Sequence, residues 1–362
     1  MHLPNLLTTI SGENVSTAHD WEAFRRPEIF GLFERFVYGE KPFTALTPAF
    51  CVKQTDTQFL GGAAIYEKTN ITLTENGNRF SFPVEYFAPA GIEKPPVFVY
   101  IMLQASQSET CDLRVDTDMP FVPISQIIAR GYAVAVYKVK DLDPDCDDGF
   151  QNGIHTLFSK KPRNAQSWGT IAAWAYGASL VMDCLAASGR ADCSRAAVIG
   201  HSRGGKTALW AGACDTRFKL VVSNNSGCTG AAASRGSTGE TVQLINTRFP
   251  YWFCENYHAY NGREAWLPID QHMLIALIAP RYVYVASASD DDNACPQNEL
   301  LSARRAGDVY GLYGKRGLDV SGDPAFNTPY HGGAIAYHIR EGRHALTPFD
   351  WDLFMDYADK VL

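Results

Sequence analysis

The chain reads as an α/β protein, a three-layer α/β/α sandwich around a mostly parallel central sheet. Three observations predict this. From residue 96 onward, short apolar runs suited to strands buried on both faces alternate with stretches of helical periodicity. One such run, Ala196-Ala197-Val198-Ile199, passes through Gly200-His201-Ser202-Arg203-Gly204-Gly205 straight into a helical run. No repeat, low-complexity tract or linker divides the 362 residues, so 1–362 reads as one domain.

Taken in order, the first elements are helical. Residues 20–39 carry Trp21, Phe24, Ile29, Phe30, Leu32, Phe33, Phe36 and Val37, with Asp20 as the N-cap and Pro27 splitting the run into two helices. Alternating strands at 64–73 and 80–87 flank Asn76-Gly77, a hairpin signal, and predict an antiparallel edge. The continuous apolar runs 96–103 and 132–139 predict buried strands, with a helix at 124–130 between them. A helix follows at 168–187, ending near Gly189. Strands at 196–200, 220–223 and 281–288 complete the sheet, and 352–362 is a terminal amphipathic helix. The segment 227–280 is too long for a plain connection. It contains Tyr251-Trp252-Phe253 and Tyr257-His258-Ala259-Tyr260, and predicts an insertion near the mouth of the site, most of its aromatics being core.

Composition excludes some classes. Hydrophobic content of 46% and charged content of 20% are those of an ordinary globular protein. A formal charge of −7 argues against a nucleic-acid partner. No apolar run approaches the roughly 18 residues of a membrane span. Met1-His2-Leu3-Pro4-Asn5 lacks a basic and then apolar leader, so the protein is either not exported or has lost a signal peptide. The nine cysteines are an odd number without a metal-type pair, and Cys184 and Cys214 sit in apolar contexts that predict small core residues.

The chemistry centres on Gly200-x-Ser202-x-Gly204. A serine on a strand-to-helix turn is lifted above the sheet edge as a nucleophile, and glycines two residues either side leave room for the strained backbone. The following helix aims its first N–H groups where an oxyanion would form. Such a serine needs a general base and the base an orienting acid; in folds that carry the serine on a strand-to-helix elbow, the acid and then the histidine follow it in the chain. Three histidines lie late enough. His344 stands in the polar loop before the last helix, where the base belongs; His331 is the runner-up; His338 sits in a strand and reads as structural. The acid belongs after the strand at 281–288, where Asp290, Asp291 and Asp292 are consecutive. A second acidic cluster, Asp141, Asp143, Asp145, Asp147 and Asp148, imitates a calcium loop. Cys146 stands where such a loop needs glycine and Asn152 where it needs glutamate, so it reads as a turn-rich loop. No metal or other cofactor is expected.

With these residues in hand, the chain resembles a known family. Gly200-His201-Ser202-Arg203-Gly204-Gly205-Lys206 is similar to the elbow of glucuronoyl esterases, carbohydrate esterase family 15, in its bacterial branch. Phe36-Val37-Tyr38-Gly39, Asp141-Leu142-Asp143-Pro144-Asp145, Asp148-Gly149-Phe150-Gln151-Asn152-Gly153, Ser223-Asn224-Asn225-Ser226-Gly227, Leu267-Pro268-Ile269-Asp270-Gln271-His272 and Gly342-Arg343-His344-Ala345-Leu346-Thr347 also match. The resemblance implies an α/β-hydrolase fold and a metal-free serine esterase acting on esters of (4-O-methyl-)glucuronic acid in lignin–glucuronoxylan links. It implies Ser202 as nucleophile, His344 as base, Arg203 as oxyanion-stabilising arginine and Lys206 as a binder of sugar hydroxyls, with Glu240 a candidate acceptor. Two departures stand out. Asn225 occupies the place of the fungal acid, so the bacterial alternative, aligned with Asp291, takes the role. Asn293 stands near the usual substrate-stacking tryptophan, leaving Trp168 or Trp252 to supply a ring. The family further implies a secreted or periplasmic monomer. The rival readings are an acetyl xylan or feruloyl-type esterase, and a non-catalytic carbohydrate-binding protein on the same scaffold.

Overall fold

The computed structural model describes residues 2–42, 46–103 and 112–362. The chain opens with a helix over 18–38 (α1). Three antiparallel strands follow: β1 (Ala49–Phe59), β2 (Ala64–Glu75) and β3 (Asn78–Pro89). Then come β4 (Val97–Met102), α2 (Ile124–Ala129), β5 (Ala133–Lys138), α3 (Thr170–Ser188), β6 (Ala196–His201), α4 (Arg203–Cys214) and β7 (Phe218–Asn224). Helices α5 (Val242–Arg248) and α6 (Gln271–Ala276) lead to β8 (Tyr282–Ala288), α7 (Pro296–Leu312), β9 (Ile335–Arg340) and α8 (Pro348–Val361).

The nine strands form one sheet in the order β1-β2-β3-β5-β4-β6-β7-β8-β9. The six from β4 to β9 are mutually parallel, and their residues are almost wholly buried. Two apolar clusters sit on its two faces. One gathers α1, α3, α4 and α7; the other gathers α2 and α8, with Trp351 packed edge-on to Phe98 at 5.4 Å. These are the three layers predicted.

Several elements differ from expectation for identifiable reasons. Pro27 does not split α1. A π-type turn, with Arg26 N–H donating to the Trp21 carbonyl, precedes the proline and absorbs its missing donor. The N-cap is Thr17, with Asp20 as the reciprocal member of a capping box. Strand β1 escapes sequence reading because its exposed run Lys53-Gln54-Thr55-Asp56 has no apolar alternation. Such polar, irregular strands are what sheet edges use against mispairing. Asn76 and Gly77 both have positive φ, 50° and 86°, as a tight hairpin turn requires. Helix α3 corrects the statement about apolar runs. Its 19 residues, with mean hydropathy 1.3, are long and apolar enough to cross a membrane, but 72% of that stretch is buried inside the protein. The eight described cysteines are free; Cys184 is buried, whereas Cys214, at the end of α4, is exposed.

The helix that follows the elbow is anchored from outside. Trp210 of α4 is stacked on Tyr38 at 4.3 Å and on Phe30 at 5.1 Å, so α1 clamps α4 through an aromatic sandwich. Arg26 adds a hydrogen bond to the Ala213 carbonyl, 3.2 Å.

Candidate active site

Strand β6 ends in the elbow. Ser202 has φ 56° and ψ −129°, a backbone conformation that costs a non-glycine residue on the order of 1–3 kcal/mol. The strain is held by hydrogen bonds: Ser202 N–H donates to the Asn224 carbonyl at the end of β7 (2.9 Å), and the Ser202 carbonyl accepts from Gly205 and Lys206 N–H to begin α4. A Cβ on Gly200 would lie 2.0 Å from the Gly204 carbonyl oxygen, so the turn closes only with glycine there. The first N–H groups of α4 have no carbonyl within the helix and remain for an anion.

The next residues come from the ends of β8 and β9. His344 Nδ1 donates to Asp291 Oδ2 at 2.6 Å. Asn225 Nδ2 donates to the same oxygen at 2.9 Å, and Ala294 N–H reaches Oδ1 at 3.3 Å. Asp291 is 4% exposed, whereas Asp290 and Asp292 are exposed. Burial pulls its carboxyl pKa up. The hydrogen bond and charge of His344, with the Asn225 and Ala294 donors, outweigh this and hold it below the usual range. Beneath His344 lies His201, its ring 4.5 Å from the His344 ring and its Nδ1 donating to Asn224 Oδ1 at 2.6 Å. Burial, then the neighbouring His344, pushes the His201 pKa down to about 3, so it is a neutral platform. Among the described residues no hydrogen bond joins Ser202 Oγ to His344; contacts of this kind commonly close only around substrate. His331 and His338 instead share the Tyr284 hydroxyl, and His338 is fully buried against Asp350.

Arg203 lies one residue beyond the serine. Its Nε is 2.7 Å from Asp145 Oδ2, an ion pair at an angle too poor for a hydrogen bond. Asp145 Oδ1 accepts from Trp252 Nε1 (2.7 Å) and Tyr251 OH (3.0 Å). Asp145 thus fixes the arginine to the 227–280 segment, a role the loop-like spacing of its acidic cluster concealed. Others of that cluster are also engaged: Asp143 accepts from Thr170 Oγ1, and Asp148 from Phe150 N–H. Among the described residues, no three metal-binding side chains gather.

Lys206 is buried, 3% exposed, and spends its ammonium on the Ser226 carbonyl (2.7 Å), the Cys228 carbonyl (2.5 Å) and Glu240 Oε2 (3.0 Å). Glu240 N–H is held by the Asn293 carbonyl, which brings the pair beside the Asp291 loop. The expected aromatic platforms are not available. Trp168 is 2% exposed, packed edge-on among His155, Phe158 and Tyr176, and Trp252 is 3% exposed beneath Phe249, stacked at 3.8 Å. Sequence reading also missed Glu299 of α7. It is fully buried and accepts from Gly227 N–H (2.9 Å) and Ser287 Oγ (2.6 Å); burial raises its carboxyl pKa to about 7. Pro296 marks the start of its helix, but nothing local to Glu299 signals that it is buried.

A largely parallel sheet of this order, with a strained serine between strand and helix and an imidazole on a carboxylate beyond the last two strands, is the layout of an α/β-hydrolase-fold ester hydrolase. Comparison narrows the class. Residues 71–314 match a family model described as "Glucuronyl esterase, fungi". A carbohydrate esterase of an unknown prokaryotic organism is 39% identical over 99% of this chain and 89% of its own length. A 4-O-methyl-glucuronoyl methylesterase of Phanerochaete chrysosporium is 28% identical over 77% of this chain and 55% of its own length. Among solved structures, a CE15 esterase from a marine bacterial metagenome, described as promiscuous, superposes with TM-score 0.89 at 38% identity, covering 100% of this chain and 97% of its own. A glucuronoyl esterase of Solibacter usitatus gives TM-score 0.92 at 35% identity, over 99% and 97%. The chain belongs to the glucuronoyl esterases, carbohydrate esterase family 15.

Proposed function

We infer that the protein is a serine esterase that hydrolyses esters of glucuronic or 4-O-methyl-glucuronic acid, as they occur between glucuronoxylan side chains and lignin alcohols. The observation that carries this reading is the 2.6 Å His344–Asp291 pair facing the strained Ser202 elbow in a chain of this family. Ser202 Oγ attacks the ester carbonyl and His344 Nε2 takes its proton, then delivers it to the departing alcohol. Asp291 holds the imidazole in the tautomer that leaves Nε2 free. The tetrahedral oxyanion is held by the Arg203 guanidinium and the first N–H groups of α4, and water activated by His344 releases the uronic acid. Glu240, paired with Lys206, meets the hydroxyls of the acyl sugar through its second carboxylate oxygen. In this reading 1–362 is one catalytic domain and 227–280 is its insertion. The protein acts as a monomer outside the cytoplasm, where its polymeric substrate lies.

A second reading, a less selective carbohydrate esterase, is favoured by the described promiscuity of the metagenomic relative. Benzyl glucuronate, acetylated xylose and methyl ferulate, compared at equal concentration, separate the two. The glucuronate is expected to be cleaved fastest; faster cleavage of either rival overturns the substrate assignment but not the esterase. Loss of all three activities in Ser202→Ala is the accompanying check on the nucleophile.

A further inference from the structure

The loop that carries His344 is short and polar, and its side chains offer little to hold an imidazole in place. What organises it is one buried guanidinium. Arg340, the last residue of β9, is 6% exposed. Its Nη2 donates to the Arg343 carbonyl at 2.6 Å and to the Ala345 carbonyl at 2.8 Å, the two peptide oxygens that flank His344. Its Nη1 donates to the Glu341 carbonyl at 3.2 Å. The guanidinium is itself fixed from behind, Nε donating to Asp350 Oδ2 at 3.2 Å. Asp350 is fully buried. Its other oxygen accepts from His338 Nε2 at 2.8 Å, and Oδ2 also accepts from Thr347 N–H and Oγ1, capping α8.

The same residue ties this loop to the one that carries the acid. Ser289 N–H donates to the Arg340 carbonyl (2.9 Å), Asp290 N–H to the Gly342 carbonyl (2.9 Å), and Gly342 N–H to Ser289 Oγ (3.0 Å). Asp291 and His344 therefore leave two parallel strands in fixed register. The turn needs glycine at 342, where φ is 114° and a Cβ would meet Arg340 Nη1 at 3.1 Å.

We propose that Arg340, anchored by Asp350, is a positioning residue for the general base. It is the template on which 341–345 folds so that the His344 imidazole meets Asp291. A planar fork can serve three carbonyls and a carboxylate at once; the point charge of lysine cannot. This inference rests on the assignment of His344 as the base.

The test uses Arg340→Lys in the full chain, with kcat and KM on benzyl glucuronate and the downfield proton resonance of His344 Nδ1–H, assigned by its loss in His344→Gln. A displacement near 1 Å at a catalytic group costs up to about 100-fold. The expected result is a fall in kcat of about 10- to 100-fold, KM within about threefold, and a shifted or lost Nδ1–H resonance. A kcat within threefold of the parent, or a reduced kcat with the resonance unmoved, overturns the proposal. Should Arg340→Lys not fold, Asp350→Asn, which removes the charge behind the guanidinium and sets an amide NH2 against either Nε or His338 Nε2 while leaving the carbonyl contacts, is read by the same criteria. Full activity in His344→Gln would instead overturn the assignment of the base, whatever Arg340→Lys does.

Discussion

Replacing Asp291 with asparagine keeps the shape of the side chain and removes its charge. Asp291 Oδ2 receives two donors, His344 Nδ1 at 2.6 Å and Asn225 Nδ2 at 2.9 Å, and Oδ1 receives Ala294 N–H at 3.3 Å. An amide cannot satisfy this set. With its NH2 at the Oδ2 position it confronts the Asn225 amide and turns His344 to the tautomer that carries its proton on Nε2, unable to accept from Ser202. With its NH2 at the Oδ1 position it faces the Ala294 N–H, donor against donor. Either way the imidazolium formed during attack loses a buried counter-charge. The expected loss in kcat is about 10²- to 10⁴-fold, or about 3–5 kcal/mol of barrier. KM should be nearly unchanged, because Asp291 does not touch the sugar in this mechanism. Asp290→Asn and Asp292→Asn, at exposed positions, should stay within about twofold of the parent. Steady-state hydrolysis of benzyl glucuronate at pH 7.5 or so reads all three. Equal losses in the three variants would refute the reasoning and place the acid elsewhere.

Ser202→Gly should abolish turnover yet stabilise the fold by about 1 kcal/mol, since glycine accepts φ 56°, ψ −129° without strain and gives back part of the gain in the unfolded chain; urea unfolding showing a less stable protein would contradict the strain argument. Asp145→Asn sets an amide donor against Arg203 Nε and should cost about tenfold in kcat, with little change in melting temperature; an unaltered kcat would mean that Asp145 does not orient the arginine. Glu299→Gln tests the buried carboxyl. Its folded pKa of about 7 lies above the ordinary 4.5, so the folded state keeps a proton that the unfolded state releases, and this group makes stability fall as pH rises from 4.5 to 7. Denaturation curves at pH 5, 6, 7 and 8 should be flatter for the variant by on the order of 3 kcal/mol across that window; parallel curves for parent and variant would refute it.

The sheet and elbow were legible because their signals are local. A buried strand must be a continuous apolar run, and the elbow must carry glycine where Gly200 approaches the Gly204 carbonyl. Topology, the ends of the last two parallel strands, pointed to His344 and to the run Asp290-Asp291-Asp292, whereas the choice of Asp291 within that run came from the family resemblance. What escaped lies in contacts between distant segments. Asp145 acquires its meaning only from Arg203 and Trp252, 58 and 107 residues away, and Glu299 only from Gly227 and Ser287. The aromatic platforms failed for the same reason: a tryptophan in sequence does not reveal whether its face is covered, and both Trp168 and Trp252 are. Strand β1 was missed because an edge strand gives up the apolar alternation by which strands are recognised.

Asn225 and Asp291 stand at the ends of adjacent strands, and one donates to the other. The architecture therefore offers two seats side by side, of which Asp291 fills the one that meets the imidazole and Asn225 the one behind it. The serine has no such second seat, because its strained turn is built from Gly200, Gly205 and Asn224 together. The histidine has none either, since the peptide on each side of it is spoken for. Within this site the carboxylate is the part held by another side chain, that of Asn225, rather than by a strained turn or a templated loop.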